Sequence, residues 1–188
     1  MKEATTRQRI AEAALSTFAE YGFDGASTRT IARRAEVNQG LITYYFKSKE
    51  ALWKEAANLV FSEARSMLQA LVEQTANEDE ANRLGAYIRA LVGFMARRPE
   101  VMRFIVQEGM GPSERLTWMV ENHLKEIYEN APSLSGDAKS QPHEFYILTG
   151  AAALIFTAQQ ECRQMTGLDP MADEAIEKHA QILTKLLT

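Results

Sequence analysis

The segment STRTIARRAEVNQGLITYYFKSKE, residues 27–50, constrains the fold more than any other stretch, because it sets two very short helices around a three-residue junction. In the first, Ile31 and Ala35 lie four apart and give an apolar edge, while Arg29, Arg33 and Arg34 load the other faces with charge. Thr28 is placed to cap it, its hydroxyl accepting from an otherwise unpaired N–H of the first turn, and the helix is predicted to run to about Ala35. Glu36-Val37-Asn38 reads as a turn, with Val37 anchored inward and Asn38 capping the next helix. That second helix, Gln39 to about Tyr45, is too short to persist alone and must be held by a scaffold, as the second helix of a helix-turn-helix is. Its Gln39, Thr43, Tyr44 and Tyr45 are hydrogen-bonding or aromatic, and Gly40 admits a close backbone approach. Such a residue choice suits a surface that faces phosphate.

Charge supports the placement only once it is divided along the chain. The formal net charge of −4 is unlike that of a polyanion binder. Residues 1–54, however, hold nine Lys or Arg against six Asp or Glu, while the remainder holds twelve against nineteen. Affinity for phosphate therefore belongs to the N-terminal part, and the acidic remainder should face away from DNA. With 188 residues, 46% hydrophobic and 24% charged, the chain suits one or two small domains with a sizeable core. A single Cys162 excludes an internal disulfide and a multi-cysteine zinc site. The N-terminus MKEATTRQRIAEAAL is charged and amphipathic, unlike a signal peptide. The longest uncharged apolar stretch, Phe145 to Ala158, is shorter than the roughly 20 residues of a spanning helix. A soluble cytoplasmic protein is the expectation.

Helical spacing recurs throughout, and no strand-like alternation with hairpin punctuation competes with it. The predicted fold is all-α, with about nine helices: an N-terminal three-helix helix-turn-helix domain over residues 1–47 and a C-terminal bundle over 48–188. The first helix, about Thr6 to Tyr21, aligns Ile10, Ala14 and Phe18 and ends at Gly22. Ser48 caps a long helix broken at Thr75 to Asp79, and a second long helix is stopped by Pro99. Glu100 to about Glu108 and Ser113 to about Asn130 come next, and Ala131 to Pro142 is expected to be the least ordered stretch.

Two further helices close the chain. Glu144 to about Met165 is apolar nearly all round, and the helix from Asp173 aligns Ile176, Ala180, Leu183 and Leu187, with Ile182 and Leu186 beside them. Gly150, Ala151, Ala152 and Ala153 allow close helix approach. A stripe of that size either pairs across a two-fold axis or is buried within one larger bundle.

The resemblance carried by residues 6–54 is to the TetR (tetracycline repressor) family of transcriptional regulators. It rests on the helix and Tyr-Gly-Phe step of IAEAALSTFAEYGFDGAST, on an A-x-x-A-x-V turn, and on the close Tyr44-Tyr45-Phe46-Lys47-Ser48-Lys49-Glu50. Thr43 stands where many relatives carry a phosphate-contacting tyrosine, so that contact falls to Tyr44 or Tyr45. The resemblance implies a homodimer formed through the last two helices, with Gly150, Ala153, Ile176, Ala180, Leu183 and Leu187 at its interface. It also implies a small-molecule effector, of unknown identity, in the C-terminal bundle, where Phe94, Met102, Trp118, Phe145 and Phe156 are candidate lining residues; at helical spacing the same residues also suit plain core.

The function expected is that of a sequence-specific, ligand-responsive DNA-binding repressor that acts as a homodimer on a palindromic operator. Gln39, Thr43 and Tyr44 are candidates for base edges, Leu41 for a thymine methyl, and Thr28, Arg29, Tyr45 and Lys49 for phosphates, with Gly40 among them. The alternatives are a dimeric ligand-binding or interaction protein that does not read DNA, and an enzyme on a helical bundle. His123, His143 and His179 are scattered over separate elements without metal-ligand spacing, no nucleophile motif surrounds Cys162, and Gly109-Met110-Gly111 lacks the context of a phosphate loop. No enzyme, cofactor, metal or membrane partner is expected.

Overall fold

The computed structural model describes residues 5–187; the first four residues of the charged N-terminal segment, and Thr188, lie outside them. The described residues form α-helices and one π-helical turn, and no strand. In chain order they are α1 (Thr6–Gly25), α2 (Thr28–Arg34), α3 (Gln39–Phe46), α4 (Lys49–Gln74), α5 (Glu80–Arg97), α6 (Glu100–Gly109), α7 (Glu114–Met119), the π turn Val120–Leu124, α8 (Lys125–Glu129), α9 (Gln141–Thr157), α10 (Gln159–Thr166) and α11 (Asp173–Leu187). α7, the π turn and α8 succeed one another without a gap, and α9 and α10 meet at Ala158, where the backbone leaves helical values. With α7, the π turn and α8 taken as one rod, the described residues form ten helices, and the single helix expected from Glu144 to about Met165 is broken at Ala158.

Two compact units make up the chain: Met1–Glu63 with Glu100–Asn122, and Ala64–Pro99 with His123–Thr188. In the first, α1 packs against α6 and α2, and α2 against α3. Ile10, Ala14, Leu15 and Phe18 of α1 are buried, the four-residue spacing of the sequence turned inward. Trp53 of α4 is also buried, stacked on Phe104 at 5.2 Å and meeting Trp118 edge-on at 5.9 Å. In the second unit α5 is central, packed by α11 and α9. A Cβ at Gly85 would meet the Thr184 methyl at 3.3 Å, so glycine there permits the close passage of α11. His179 Nε2 reaches the Ala151 carbonyl at 2.9 Å and ties α11 to α9.

The helical run from Thr6 is broken at Gly22, which takes φ +68° and ψ 176°, as expected, and a further turn reaches Gly25. Other local expectations are corrected. Ser27 caps α2, accepting from the Thr30 N–H at 3.0 Å; Thr28 is the first helical residue. α9 begins at Gln141, with Pro142 in its first turn, where the missing N–H costs nothing. Within the stretch expected to be least ordered, residues 133–135 are held: buried Glu144 accepts from the Ser133 hydroxyl at 3.1 Å and from the N–H groups of Leu134 and Ser135 at 2.8 and 3.0 Å. A carboxylate with several donors can order a loop that its own Ser, Pro and Gly content would leave free.

His123, in the π turn, is buried, and its Nδ1 accepts from Arg65 at 2.9 Å. Burial, and then the Arg65 charge, lower its pKa to about 4. The unfolded chain, with an ordinary histidine near 6.5, takes up the proton first. The contribution of neutral His123 is therefore complete above pH 6.5 and lost as pH falls towards 4. The melting temperature should drop over that interval, and His123→Gln, which keeps an acceptor for Arg65, should flatten the drop; parallel curves for the two proteins would refute the assignment.

Candidate nucleic-acid interface

α3 is held by two side chains and shows the rest. Ile42 and Phe46, four apart, are buried, and Phe46 lies under the Arg7 guanidinium at 5.3 Å, which also pairs with Glu55 at 2.8 Å. Asn38 caps the helix, its side-chain oxygen accepting from the Gly40 N–H at 2.8 Å. Gln39, Gly40, Leu41, Thr43 and Tyr44 are exposed, Tyr44 to 75%. Tyr45 is half-buried, meeting Tyr44 edge-on at 5.1 Å. A helix so anchored offers a rigid polar and aromatic ridge to anything that docks there.

The junction that sets its angle is built from outside both helices. Glu36 takes φ +54°, a conformation that L-residues adopt reluctantly, and the Val37 N–H returns to the Ala32 carbonyl at 3.0 Å. Arg9 of α1 donates to the Ala35 carbonyl at 2.7 Å and so closes the C-terminus of α2. Sequence reading missed Arg9, since only the packing of α1 beside the turn reveals its partner. Arg34 is committed to Glu20 at 2.6 Å and is not a free cation.

Among the candidate contact residues, Thr28 and Gln39, and Tyr44 and Tyr45, touch directly. Thr28 is brought to Gln39: its hydroxyl accepts from the Gln39 side-chain amide at 3.1 Å, which links the first turn of α2 to that of α3. Arg29 is exposed and forms no ion pair among the described residues. Lys47, at the end of α3 with φ +58°, is a second exposed cation of that kind, and it was not among the expected contacts although it stands between the aromatic close and Lys49. Lys49 is half-buried, donating to the Asp24 carbonyl at 3.4 Å with its ammonium 4.6 Å from the Phe23 ring centre. Arg115 lies 3.7 Å over the same ring and pairs with buried Glu108 at 3.1 Å.

The other candidates are less coherent. Phe94 and Phe156 are fully packed core of the second unit; Phe145 is half-buried, edge-on to Tyr128 at 5.3 Å. Met102 and Trp118, both half-buried, belong to the first unit. Of the residues expected at a dimer interface, Ala153, Ala180 and Leu183 are instead buried by the chain's own helices, Ile176 and Leu187 are half-buried, and Gly150 is exposed. The larger apolar stripe of α11 turns towards α5, and the smaller one, Ile182 and Leu186, is left outside with Tyr146, Ile147 and Leu154 of α9. Among the described residues no three His, Cys, Asp or Glu side chains converge as a metal site would require, and no helix is long and apolar enough to cross a membrane.

The sequence model of the family described as bacterial regulatory proteins, tetR family, matches residues 10–56, the span from α1 into α4. The regulator RutR of Escherichia coli K12 is 27% identical over 128 residues, 68% of this chain and 59% of its own length. An HTH-type transcriptional repressor of Streptomyces coelicolor is 30% identical over 105 residues, 56% of this chain and 50% of that protein. Residues 10–56 carry the TetR-family signature. The chain spans between half and three fifths of those curated relatives. A TetR-like transcriptional regulator from Rhodococcus sp. RHA1 shares the fold at TM-score 0.66 and 18% identity, over 100% of this chain and 96% of that one. So does AibR, solved with isovaleryl coenzyme A and operator DNA, at TM-score 0.67 and 16% identity over 97% and 98%. The family model thus ends near the start of α4, while the alignments with the two curated relatives, over 105 and 128 residues, run beyond its 10–56 span.

Proposed function

We propose that this chain is a cytoplasmic, sequence-specific DNA-binding repressor of the TetR family that acts as a homodimer and responds to a small ligand. The observation that carries the reading is the ridge of α3: Gln39, Thr43 and Tyr44 stand exposed on a helix locked by Ile42, Phe46, Arg7 and Asn38. Residues 1–47 would read DNA, with Gln39, Thr43 and Tyr44 at base edges and Leu41 against a thymine methyl; Thr28, Arg29, Tyr45 and Lys49 would hold phosphates. Residues 48–188 would supply dimerisation and ligand binding. The exposed Tyr146, Ile147, Leu154, Ile182 and Leu186 support a two-fold contact, since apolar side chains left in water on the last helices favour a partner copy. Support for a ligand response comes from AibR, solved with an acyl coenzyme A and operator together, and support for repression from the Streptomyces relative's name. Ligand binding would bias the packing under α4 and so alter the spacing of two recognition helices.

The test is selection of genomic fragments by the purified protein. Recovered fragments should share a palindrome with half-sites about 34 Å apart or slightly more, bound with steep salt dependence. Equal binding to the recovered and the scrambled duplex across a salt series would sink the reading.

A further inference from the structure

Within the second unit a groove of about 630 Å³ runs between the end of α4, the first turns of α5 and the loop after α8. Leu71, Val72, Leu84, Leu134 and Leu187 line it, and Val72 stands 69% exposed. Its loop wall is the one held by the three hydrogen bonds to Glu144. Hydrogen bonds from Ser135 and Leu134 keep that carboxylate below its usual range, so it remains ionised and the wall stays in place at neutral pH. A cleft with a fixed wall needs no ordering when a ligand enters.

Two polar side chains on α5 are left over. Tyr87 lines this groove and an adjoining one of about 310 Å³, and its hydroxyl bonds no group among the described residues. Burial raises its pKa, so the phenol is a neutral donor without an acceptor. Arg83, one turn earlier, forms no ion pair among the described residues. The acid in the same groove, Glu80, sits in the first turn of α5, where a carboxylate complements the helix N-terminus. In the adjoining groove Arg65 is bonded to a neutral histidine, which leaves its charge intact. An unpaired guanidinium and a neutral phenol beside a leucine-lined trough match a ligand with one anionic, hydrogen-bond-accepting end and a hydrocarbon body.

We propose that this groove binds a small amphipathic carboxylate, its carboxylate against Arg83 and the Tyr87 hydroxyl and its hydrocarbon along Leu71, Val72, Leu84 and Leu134. The proposal rests on the ligand-responsive reading and names the chemical class of the ligand. Calorimetric titration of the full chain with octanoate, decanoate and 3-phenylpropanoate tests it, with octanol and octyltrimethylammonium as headgroup controls. At least one carboxylate should bind saturably, more tightly than octanol, and the ammonium should not bind. Arg83→Gln should weaken that carboxylate about tenfold and octanol hardly at all, since only the former loses a charge-assisted bond. Tyr87→Phe should weaken it about fivefold. Val72→Asp, at an exposed position that tolerates charge, should abolish binding by setting a like charge in the trough. Failure of all three carboxylates to bind, equal binding of the ammonium, or an unchanged Arg83→Gln would overturn the proposal. The same preparation is first shown to bind its selected duplex, so intact DNA binding without carboxylate binding removes this inference alone. Carboxylate binding that leaves duplex affinity unchanged would uphold the site and remove the ligand-responsive reading instead.

Discussion

Leu183→Glu is expected to unfold the second compact unit, whereas Leu186→Glu, three residues on, should give a folded monomer. Leu183 is 6% exposed in the core beside α5, and a carboxylate there would have neither water nor a cation. Removal of the leucine costs about 2–5 kcal/mol, and an unpaired buried charge adds several more, together comparable with the entire stability of a small domain. Leu186 is 73% exposed, so charge there costs the folded monomer little. In a two-fold contact the same glutamate would face its own copy or an apolar surface. Circular dichroism should therefore separate the two variants, and sedimentation should show wild type above, and Leu186→Glu at, the 21.1 kDa of one chain. A wild type that sediments as one chain at micromolar concentration would remove the homodimer, and with it the half-site argument.

Gln39→Ala should lower discrimination between the selected and a random duplex by about 1–3 kcal/mol, the worth of a good base-edge contact. Since its amide also holds the Thr28 hydroxyl at 3.1 Å, Thr28→Val serves as the companion variant. If Gln39 reads a base, Thr28→Val keeps most of the discrimination and loses affinity on both duplexes. If Gln39 only props Thr28, the two variants behave alike. Lys49→Gln should weaken both duplexes and reduce the salt slope by about one, as loss of a phosphate contact does. An unchanged slope would mean that Lys49, placed against Asp24 and Phe23, is a brace for the turn and not a DNA contact.

Much of the first unit could be read from residue order, because its instructions are local. The inward face of Ile10, Ala14 and Phe18, the Asn38 cap and the Ser48 cap each act within about one helical turn. Residue order does not separate Ser27 from Thr28 as the cap of α2, because adjacent hydroxyls offer the same chemistry, and only the backbone angle, extended at Ser27, decides which one caps. Arg9, Arg7 and Glu144 were silent in the sequence: their partners are Ala35, Glu55 and residues 133–135, separations at which spacing carries no signal.

The sequence by itself determined that the chain is helical, where most of its helices break, though not the break at Ala158, and that a short helix bearing Gln39, Thr43 and Tyr44 must be carried by a scaffold. Those properties arise from periodicity and caps, which depend on neighbours along the chain. Only the tertiary structure decided which of two apolar stripes on α11 faces inward, since periodicity groups residues on a face without naming what the face meets. It likewise decided that Phe94 and Phe156 are core while Tyr87 and Arg83 border open space, because the burial of an aromatic ring is settled by the helices that happen to pass beside it.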